Sequence, residues 1–199
     1  MFNAIEIKNK LYSRYRRIFT KFYLKNFFGC IGRNTIVYKQ FRLINPDGVF
    51  LGNNVVLLGN SRIELVKEYM AGRYKPKLIL GNDSQIHQNC HITCANSIEI
   101  GNNVIVVSNV TITDIIHPYD DPYTPINRTE LITIPVKIGD QSYIYNNSVI
   151  LPGTIIGKHC IIGANSVVRG NIPDYSIAVG NPAKVVKQYN FETKSWQRI

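Results

Sequence analysis

Residues 138–168 read IGDQSYIYNNSVILPGTIIGKHCIIGANSVV, and an aliphatic side chain returns at every sixth position of this stretch. An α-helix would scatter these side chains, because six residues at about 100° each advance the chain by about 240°. In a strand they share one face, because six is even and successive side chains alternate between faces. The spacing therefore predicts short β-strands that each bury one aliphatic residue. The returning residues are Ile138, Ile144, Ile150, Ile156, Ile162 and Val168.

A second set of side chains, four residues after each aliphatic residue, is small and has the same strand parity. Glycine, asparagine and proline recur between the strands, as at Asn146 and Pro152, and these residues favour turns. Such a pattern is typical of hexapeptide repeats, in which three repeats close one coil of about 18 residues. We therefore predict an all-β parallel β-helix whose coils stack at about 4.8 Å. The small residues are Ser142, Ser148, Thr154, Cys160 and Ser166.

The composition fits a folded protein with one main domain. Hydrophobic residues make up 45% of the 199 residues and charged residues 18%, as in ordinary globular proteins. No apolar run is long enough to predict a transmembrane helix, and no export signal is expected at the N-terminus. None of the four cysteines has CxxC spacing, so we expect a reduced, cytoplasmic protein.

Residues 1–30 form a separate basic segment. Seven basic residues and one acidic residue in this segment supply +6 of the net charge of +10. Apolar and aromatic residues recur between them at helical spacing, which predicts an amphipathic helix that ends near Gly29. The helix could cover the open end of the β-helix or contact an anionic membrane surface. The cap is favoured, both roles are compatible, and nucleic acid is not expected as a partner.

The repeats occupy residues 31–180 and are interrupted twice. Segment 64–79 breaks the six-residue rhythm and is expected to bulge outward, whereas residues 114–135 form a longer, extended loop. Residues 181–199 are expected to form a tail with a short helix after a turn at Asn181 and Pro182. The chain is therefore divided into a helical segment (1–30), a β-helix domain (31–180) and a C-terminal tail (181–199).

The extended loop, DIIHPYDDPYTPINRTELITIP, is the main candidate for a functional site. Loops of this length within a compact domain are usually functional or disordered. The loop contains His117, and a neutral imidazole can accept a proton near pH 7. Asp114 lies three residues earlier and could orient the imidazole or cap a strand end. A lone loop histidine is more often a solvated side chain, so the pattern alone leaves its role open.

Three stretches resemble the hexapeptide-repeat acyltransferases, particularly the galactoside, maltose and polysaccharide O-acetyltransferases. They are IHQNCHIT (86–93), VTITDIIHPYDDPYTPI (110–126) and VKIGDQSYIYNNSVILPGTIIGKHCIIGANSVVRGNIPDYSIAVGNPAKVVK (136–187). The likeness covers residues 31–187 and implies a left-handed β-helix that assembles as a homotrimer with active sites between subunits. It also implies transfer of an acetyl group from acetyl-CoA to a carbohydrate hydroxyl in surface polysaccharide, with His117 as general base. Together with the basic N-terminus, this resemblance implies a cytoplasmic protein that associates with the inner face of a membrane.

The resemblance implies binding residues as well. The acceptor would be held by His87 or, if the register slips, by Asn89. The family usually has glycine where this chain has Tyr145, whose ring would narrow the cofactor groove. The residues implied to bind acetyl-CoA are Tyr143, Asn146, Gly163 and Ala164 along its pantetheine arm, and Arg169, Lys184 and Lys187 at its phosphates.

Other functions compete with this one. The acceptor could be a free small molecule such as a sugar, a nucleotide-sugar amine or an antibiotic. A carbonic anhydrase-like metal hydrase shares the prism but needs three converging histidines, and no second histidine follows His117 closely. A zinc site at residues 87–94 is not expected, because Cys90 and the neighbouring histidines have opposite strand parity. We therefore predict no metal, and the long loop argues against a non-catalytic scaffold.

Overall fold

The structure is a computed structural model that describes residues 3–199, most of which form a prism of short parallel β-strands. Each coil contributes one strand to each of three sheets, and strands of successive coils pair in parallel along the prism. This arrangement confirms the predicted parallel β-helix. No helix within residues 3–199 has the length and hydrophobicity needed to cross a membrane.

The first sheet contains β1 (Cys30–Ile31), β4 (Val49–Leu51), β9 (Lys77–Leu80), β12 (Ser97–Ile100), β17 (Val136–Ile138), β20 (Ile155–Ile156) and β23 (Asn171–Ile172). The second contains β2 (Ile36–Val37), β5 (Val56–Leu57), β10 (Gln85–Ile86), β13 (Ile105–Val106), β18 (Tyr143–Ile144), β21 (Ile161–Ile162), β24 (Ser176–Gly180), β25 (Ala183–Asn190) and β26 (Ser195–Arg198). The third contains β3 (Arg42–Ile44), β6 (Arg62–Leu65), β11 (His91–Cys94), β14 (Thr111–Thr113), β19 (Val149–Ile150) and β22 (Val167–Val168).

The core runs along the prism axis and contains both kinds of side chain that the repeat predicts. Every returning aliphatic residue of 138–168 is buried, and so is every small residue of that stretch. The polar members of the small set are tolerated because they bond to backbone carbonyls of the next coil. Ser142 Oγ donates to Gly157 O at 2.9 Å, and Ser148 Oγ donates to Gly163 O at 3.0 Å. A hydroxyl with a partner avoids the cost of a buried, unpaired polar group.

Asparagines at the corners of the prism explain how the strands can turn so often. Asn109, Asn147 and Asn165 adopt positive φ, a conformation that asparagine tolerates better than most residues. Their side chains also stack as a ladder, in which Asn109 Nδ2 donates to Asn147 Oδ1 and Asn147 Nδ2 donates to Asn165 Oδ1, both at 3.1 Å. The corners therefore bind successive coils to each other.

The N-terminal helix α1 (Ala4–Phe22) is followed by a 3-10 turn (Leu24–Asn26) and closes one end of the prism. Residues 1 and 2 of the predicted segment lie outside the described residues. Arg16 Nε donates to Val37 O at 3.0 Å, and the Val37 N–H donates to Thr20 Oγ1 at 3.0 Å. These bonds satisfy backbone groups at the open end of the second sheet, which would otherwise lack partners. The predicted cap is confirmed.

Both interruptions form two-stranded antiparallel units outside the prism. Segment 64–79 bulges outward as predicted and contains the hairpin of β7 (Glu68–Tyr69) and β8 (Gly72–Arg73). The extended loop begins and ends with β15 (Ile115–Ile116) and β16 (Ile132–Thr133), which pair with each other. Further 3-10 turns lie at Pro46–Gly48 and Ile126–Arg128.

The C-terminal tail differs from the prediction, because it contains strands and not a short helix. After the turn at Asn181 and Pro182, β25 pairs antiparallel with β24, and β26 pairs antiparallel with β25. Cross-strand contacts favour this arrangement, since the rings of Tyr189 and Trp196 lie opposite each other with centroids 5.5 Å apart. The free edge of the last coil is thereby extended by two strands.

Candidate active site

Asp114 ties the start of the extended loop to the preceding coil. It is fully buried just after β14. Its Oδ1 accepts a hydrogen bond from the Ala95 N–H and its Oδ2 accepts one from the Asn96 N–H, each at 2.8 Å. These N–H groups follow β11, which pairs with β14. The carboxylate therefore fixes the point at which the chain leaves the prism.

The thiol of Cys94 completes this buried cluster. It donates to Asp114 Oδ2 at 3.4 Å. Burial, with the neighbouring negative charge of Asp114 as the second cause, raises the pKa of Cys94. The thiol therefore stays protonated and acts as a donor to the carboxylate.

His117 follows the paired base of the loop and is exposed to solvent. Its imidazole meets the ring of Tyr69 edge-on, with ring centroids 5.4 Å apart and an interplanar angle of 74°. Tyr69 belongs to β7, so the two interruptions of the repeat meet at the histidine. An edge-on aromatic contact restricts the rotation of a ring that is otherwise open to water.

Two tyrosines of the first interruption hold the far part of the loop. Tyr69 Oη donates to Asn127 O at 3.2 Å. Tyr74 Oη accepts a hydrogen bond from the Leu131 N–H at 2.8 Å. The hairpin β7–β8 and the residue that follows it therefore support the part of the extended loop that lies beyond His117.

A cleft of about 480 Å³ lies on the third sheet between this hairpin and the loop, and His117 lies on its wall. The floor consists of outward side chains from three neighbouring strands, β6, β11 and β14. Its polar groups can donate and accept hydrogen bonds at several points, as a hydroxyl-rich ligand requires. The floor residues are Arg62, Glu64, His91, Thr93, Thr111 and Thr113.

His91 is a histidine on the floor of the cleft. The resemblance in the sequence assigned the acceptor site to His87 or Asn89 and not to His91. Its Nε2 lies 2.9 Å from Thr93 Oγ1. Burial, and then the positive charge of Arg62, lowers the pKa of His91, which favours the neutral ring. Strand parity was an available signal, because His91 has opposite parity to the buried Cys90 and must face outward.

The structure separates some of the predicted site residues. Within residues 3–199 no hydrogen bond or ion pair joins Asp114 to His117. His87 and Asn89 lie before β11 and outside the residues that line the cleft. Asn89 has positive φ, and its Oδ1 accepts a hydrogen bond from Asn60 Nδ2 at 2.7 Å, as in the other corner ladders.

The predicted cofactor residues of the last coils gather at one corner of the prism. Asn146, Gly163 and Ala164 follow the adjacent strands β18 and β21, and the Asn165 N–H donates to Asn146 O at 3.1 Å. A Cβ on Gly163 would lie 2.6 Å from Val179 Cγ1, so this position has no room for a side chain. Tyr143 lies beside them on the second sheet.

Two predicted phosphate-binding lysines lie on the same face of β25. Lys184 is opposite Val179 and Lys187 is opposite Ile177, with an irregular register between them. Residues three apart in a regular strand would face opposite sides of the sheet. The β-bulge between Lys184 and Lys187 adds one residue, so both side chains lie on the same side. Ala178 between their partners is buried, so both lysines face away from the core. Arg169 is exposed after β22.

Tyr145 departs from the family pattern, and its ring is half exposed. It contacts the ring of Tyr143 with centroids 4.8 Å apart. Tyr143 and Tyr145 both face outward, because Ile144 between them is buried. The two rings therefore form one aromatic patch on the second sheet.

The cysteines and histidines near residue 90 do not converge on a common point. Cys90 and Cys94 are buried, whereas His91 faces the cleft. Within residues 3–199 no group of three or more His, Cys, Asp or Glu side chains is arranged to hold a metal ion.

These features define a prism of hexapeptide repeats with a histidine-bearing loop beside a polar cleft. Residues 135–170 match the family described as bacterial transferase hexapeptide (six repeats). Residues 135–170 thus carry the repeat of the hexapeptide-repeat transferases, as the resemblance in the sequence predicted.

Known proteins with similar sequences are named acetyltransferases. A protein of Escherichia coli K12 named as a lipopolysaccharide biosynthesis O-acetyl transferase, WbbJ, is 38% identical over 128 residues, 61% of this chain and 65% of that protein. An acetyltransferase by name from Mycobacterium tuberculosis H37Rv, Rv3034c, is 36% identical over 181 residues, 80% of this chain and 58% of that protein. The chain thus spans less than two thirds of the length of these relatives.

A solved structure shows the same fold over nearly the whole chain. The maltose O-acetyltransferase of Clostridium difficile 630 is 26% identical, with a TM-score of 0.58, and the match covers 94% of this chain and 89% of that one. This structural similarity confirms the predicted left-handed β-helix.

Proposed function

We propose that this protein is an acetyl-CoA-dependent O-acetyltransferase that modifies a carbohydrate hydroxyl, with His117 as its general base. The observation that carries the proposal is the position of His117, exposed on the wall of a polar cleft and held edge-on by Tyr69. The names of its relatives, which include O-acetyl transferases, support the same reaction.

The reaction needs a base at this position. A sugar hydroxyl ionises too weakly near neutral pH, so proton removal must accompany its attack on the thioester carbonyl. His117 would accept the hydroxyl proton as the new oxygen–carbon bond forms. The proton would then pass to the coenzyme A thiolate as the carbon–sulfur bond breaks, so charge and atoms balance.

Asp114 would act on this base through the backbone. Its carboxylate bonds to the N–H groups of Ala95 and Asn96, and the antiparallel pair β15–β16 begins one residue later. A rigid loop base keeps the imidazole in place relative to the cleft, and small displacements of a catalytic group are costly.

A carbohydrate acceptor suits the chemistry of the cleft. The floor offers an arginine, a carboxylate, a neutral imidazole and threonine hydroxyls, and Tyr69 adds an aromatic wall. Sugars present hydroxyl groups around a ring with apolar faces, so they use both kinds of surface. His91 lines this cleft, whereas His87 and Asn89 do not. His91 would therefore take the acceptor-binding role that was expected of His87 or Asn89. The named role of the E. coli relative supports an acceptor in surface polysaccharide.

The cofactor residues favour a homotrimer in which acetyl-CoA lies between subunits. Asn146, Gly163 and Ala164 form one open corner, and Lys184 and Lys187 project from the same sheet. This surface is one wall of a groove, and a second prism would supply the other. Tyr143 would line the pantetheine arm, and Arg169, Lys184 and Lys187 would meet the nucleotide phosphates as charge-assisted donors.

The membrane-proximal part of the proposal concerns the N-terminal segment. Its excess of basic residues favours peripheral contact with an anionic surface, such as the cytoplasmic face of a membrane. An acceptor linked to a membrane lipid would be available there.

The experiment supplies acetyl-labelled acetyl-CoA and separate fractions of membrane glycolipid and small metabolites. We expect label in glycolipid with the unaltered protein and none above background with His117→Asn. His159→Asn is the matched control, because His159 is also exposed but lies at a distant corner, and it should retain activity. Label in small metabolites would keep the chemistry and change the acceptor. Equal transfer by the His117 variant would overturn His117 as the base.

A further inference from the structure

The side of α1 that faces away from the prism carries an apolar stripe. Arg16 and Thr20 are buried on the opposite side, where they bond to Val37. The stripe residues are Ile7, Leu11, Ile18 and Phe22, which are 47%, 62%, 53% and 67% exposed. Their spacing of four, seven and four residues places them on one helical face. An exposed apolar stripe of four large side chains indicates a binding surface.

A row of cations runs beside this stripe. Lys10, Arg14, Arg17 and Lys21 follow each other at spacings of four, three and four residues, which aligns them along the helix. Within residues 3–199, Arg14, Arg17 and Lys21 take part in no ion pair with a carboxylate. Their positive charges therefore remain available to an external anion.

A groove of about 450 Å³ lies where α1 crosses the first coil, and cations from both elements line it. Arg17 and Lys21 come from α1, Lys25 comes from the 3-10 turn, and Arg33 comes from the coil. Among the described residues, 3–199, none that lines the groove is acidic. Ile18 and Phe22 of the stripe also line it, so the groove opens directly onto the apolar surface.

We propose that α1 docks on an anionic lipid bilayer, with its apolar stripe in the interface and the groove around the phosphate of a lipid headgroup. The occupant is a phospholipid because the site joins a cationic pocket to an exposed apolar surface, which matches a phosphate attached to acyl chains. A second copy of this chain fits poorly, because two such faces would bring equal rows of positive charge together.

The docking places the cleft at a defined height above the membrane. α1 covers the first coil, and the floor strand β11 belongs to the third coil of the third sheet, after β3 and β6. The cleft therefore lies two coil spacings, or about 10 Å, beyond the first coil, and α1 lies between that coil and the membrane. This inference rests on the proposed membrane contact, but it is independent of acetyl transfer.

The test measures sedimentation of the full chain with vesicles of phosphatidylcholine alone or mixed with phosphatidylglycerol. We expect binding only to the mixed vesicles, and weaker binding as salt increases. The variant Arg17→Gln/Lys21→Gln should bind about 10- to 30-fold more weakly, since each cation near an anionic surface contributes about 1 kcal/mol. The control Lys75→Gln/Arg198→Gln removes the same charge from exposed positions elsewhere and should bind like the unaltered protein.

Each outcome decides a different part of the proposal. No binding of the unaltered protein to mixed vesicles would overturn the membrane contact itself. An equal loss of vesicle binding in both double variants would show that net charge alone attracts the protein to the membrane. It would overturn the groove as the headgroup site. A third variant, Leu11→Ser/Ile18→Ser, should also weaken binding, and unchanged binding would overturn insertion of the stripe. Binding of free glycerol 3-phosphate without vesicle binding would indicate a site for a soluble phosphate and would overturn the lipid.

Discussion

The imidazole of His117 lies edge-on against the ring of Tyr69, with their centroids 5.4 Å apart. The two residues are far apart in sequence and belong to the two segments that interrupt the repeat. Tyr69 also donates a hydrogen bond to Asn127 O, beyond His117 in the extended loop. One tyrosine therefore contacts the proposed base and the segment that carries it.

Removal of the Tyr69 ring is expected to lower kcat while leaving the fold intact. In Tyr69→Ala the imidazole loses its aromatic neighbour and the loop loses a hydrogen bond. We expect kcat to fall by about 10- to 100-fold, because displacement of a catalytic group by about 1 Å has an effect of this size. Tyr69→Phe keeps the ring contact and should retain most of the activity. Release of the coenzyme A thiol measures both variants.

The matched control for this prediction is Tyr123→Ala. Tyr123 lies in the same loop and is 93% exposed, so its removal should leave kcat unchanged. The KM for acetyl-CoA should stay constant in all three variants, since the cofactor residues lie on later coils. Full kcat in Tyr69→Ala would contradict a positioning role for the tyrosine.

The sequence predicted the prism well because its signal is local and repeated. The alternation of Ile150 and Thr154 sets both the strand parity and the core, and both side chains are buried as expected. The tail was predicted less well, since residues 183–190 have the length of a helix and pair with β24 through contacts that are distant in sequence.

The site was predictable only in part. His117 was found because a histidine in a long interruption is conspicuous, whereas Tyr69 was not, since no local pattern joins the two interruptions. His91 was passed over in favour of His87 and Asn89 because strand bounds, and not parity alone, decide which residues face the cleft. Lys184 and Lys187 were assigned together to the phosphates from the resemblance, but the β25 bulge by which they share one face of a strand was not predicted.

The pKa of His91 is expected to rise when the charge of Arg62 is removed. Burial is the larger cause of its lowered pKa, and Arg62 is the second, whereas Glu64 acts in the opposite direction. Arg62→Gln removes the repulsion and also frees Glu64, to which Arg62 Nε donates at 2.9 Å. Both changes favour the protonated imidazole.

NMR titration of the His91 ring protons measures this shift. Arg73→Gln removes an exposed arginine of β8, outside the causes of the His91 shift, and should leave the titration unchanged. A lower pKa in Arg62→Gln than in the unaltered protein would contradict the electrostatic account of this cleft.

Replacement of Asp114 by asparagine is expected to reduce stability by about 1–3 kcal/mol, because a buried donor would lose its acceptor. The two carboxylate oxygens accept from two backbone N–H groups, whereas an amide offers one oxygen and one NH₂ donor. Urea unfolding at fixed protein concentration measures the change. Asp121→Asn is the control, since Asp121 is exposed in the same loop, and an equal loss in both variants would contradict the role of the buried cluster.

The buried thiol of Cys90 is expected to make the fold sensitive to alkali. Burial raises its pKa from 9.0 to about 11, so the folded chain holds this proton more tightly than the unfolded chain does. The stabilisation from this difference is complete below about pH 9 and decreases as the pH rises towards 11.

Cys90→Ser fits the site, because Ser142 and Ser148 occupy equivalent small positions, and it lacks a group that ionises in this range. Between pH 9 and 11 the free energy of unfolding of this variant should therefore decrease less steeply than that of the unaltered protein. The exposed Cys30 supplies the comparison, since Cys30→Ser should follow the unaltered curve. Identical slopes for the Cys90 and Cys30 variants would show that the buried thiol does not control alkaline stability.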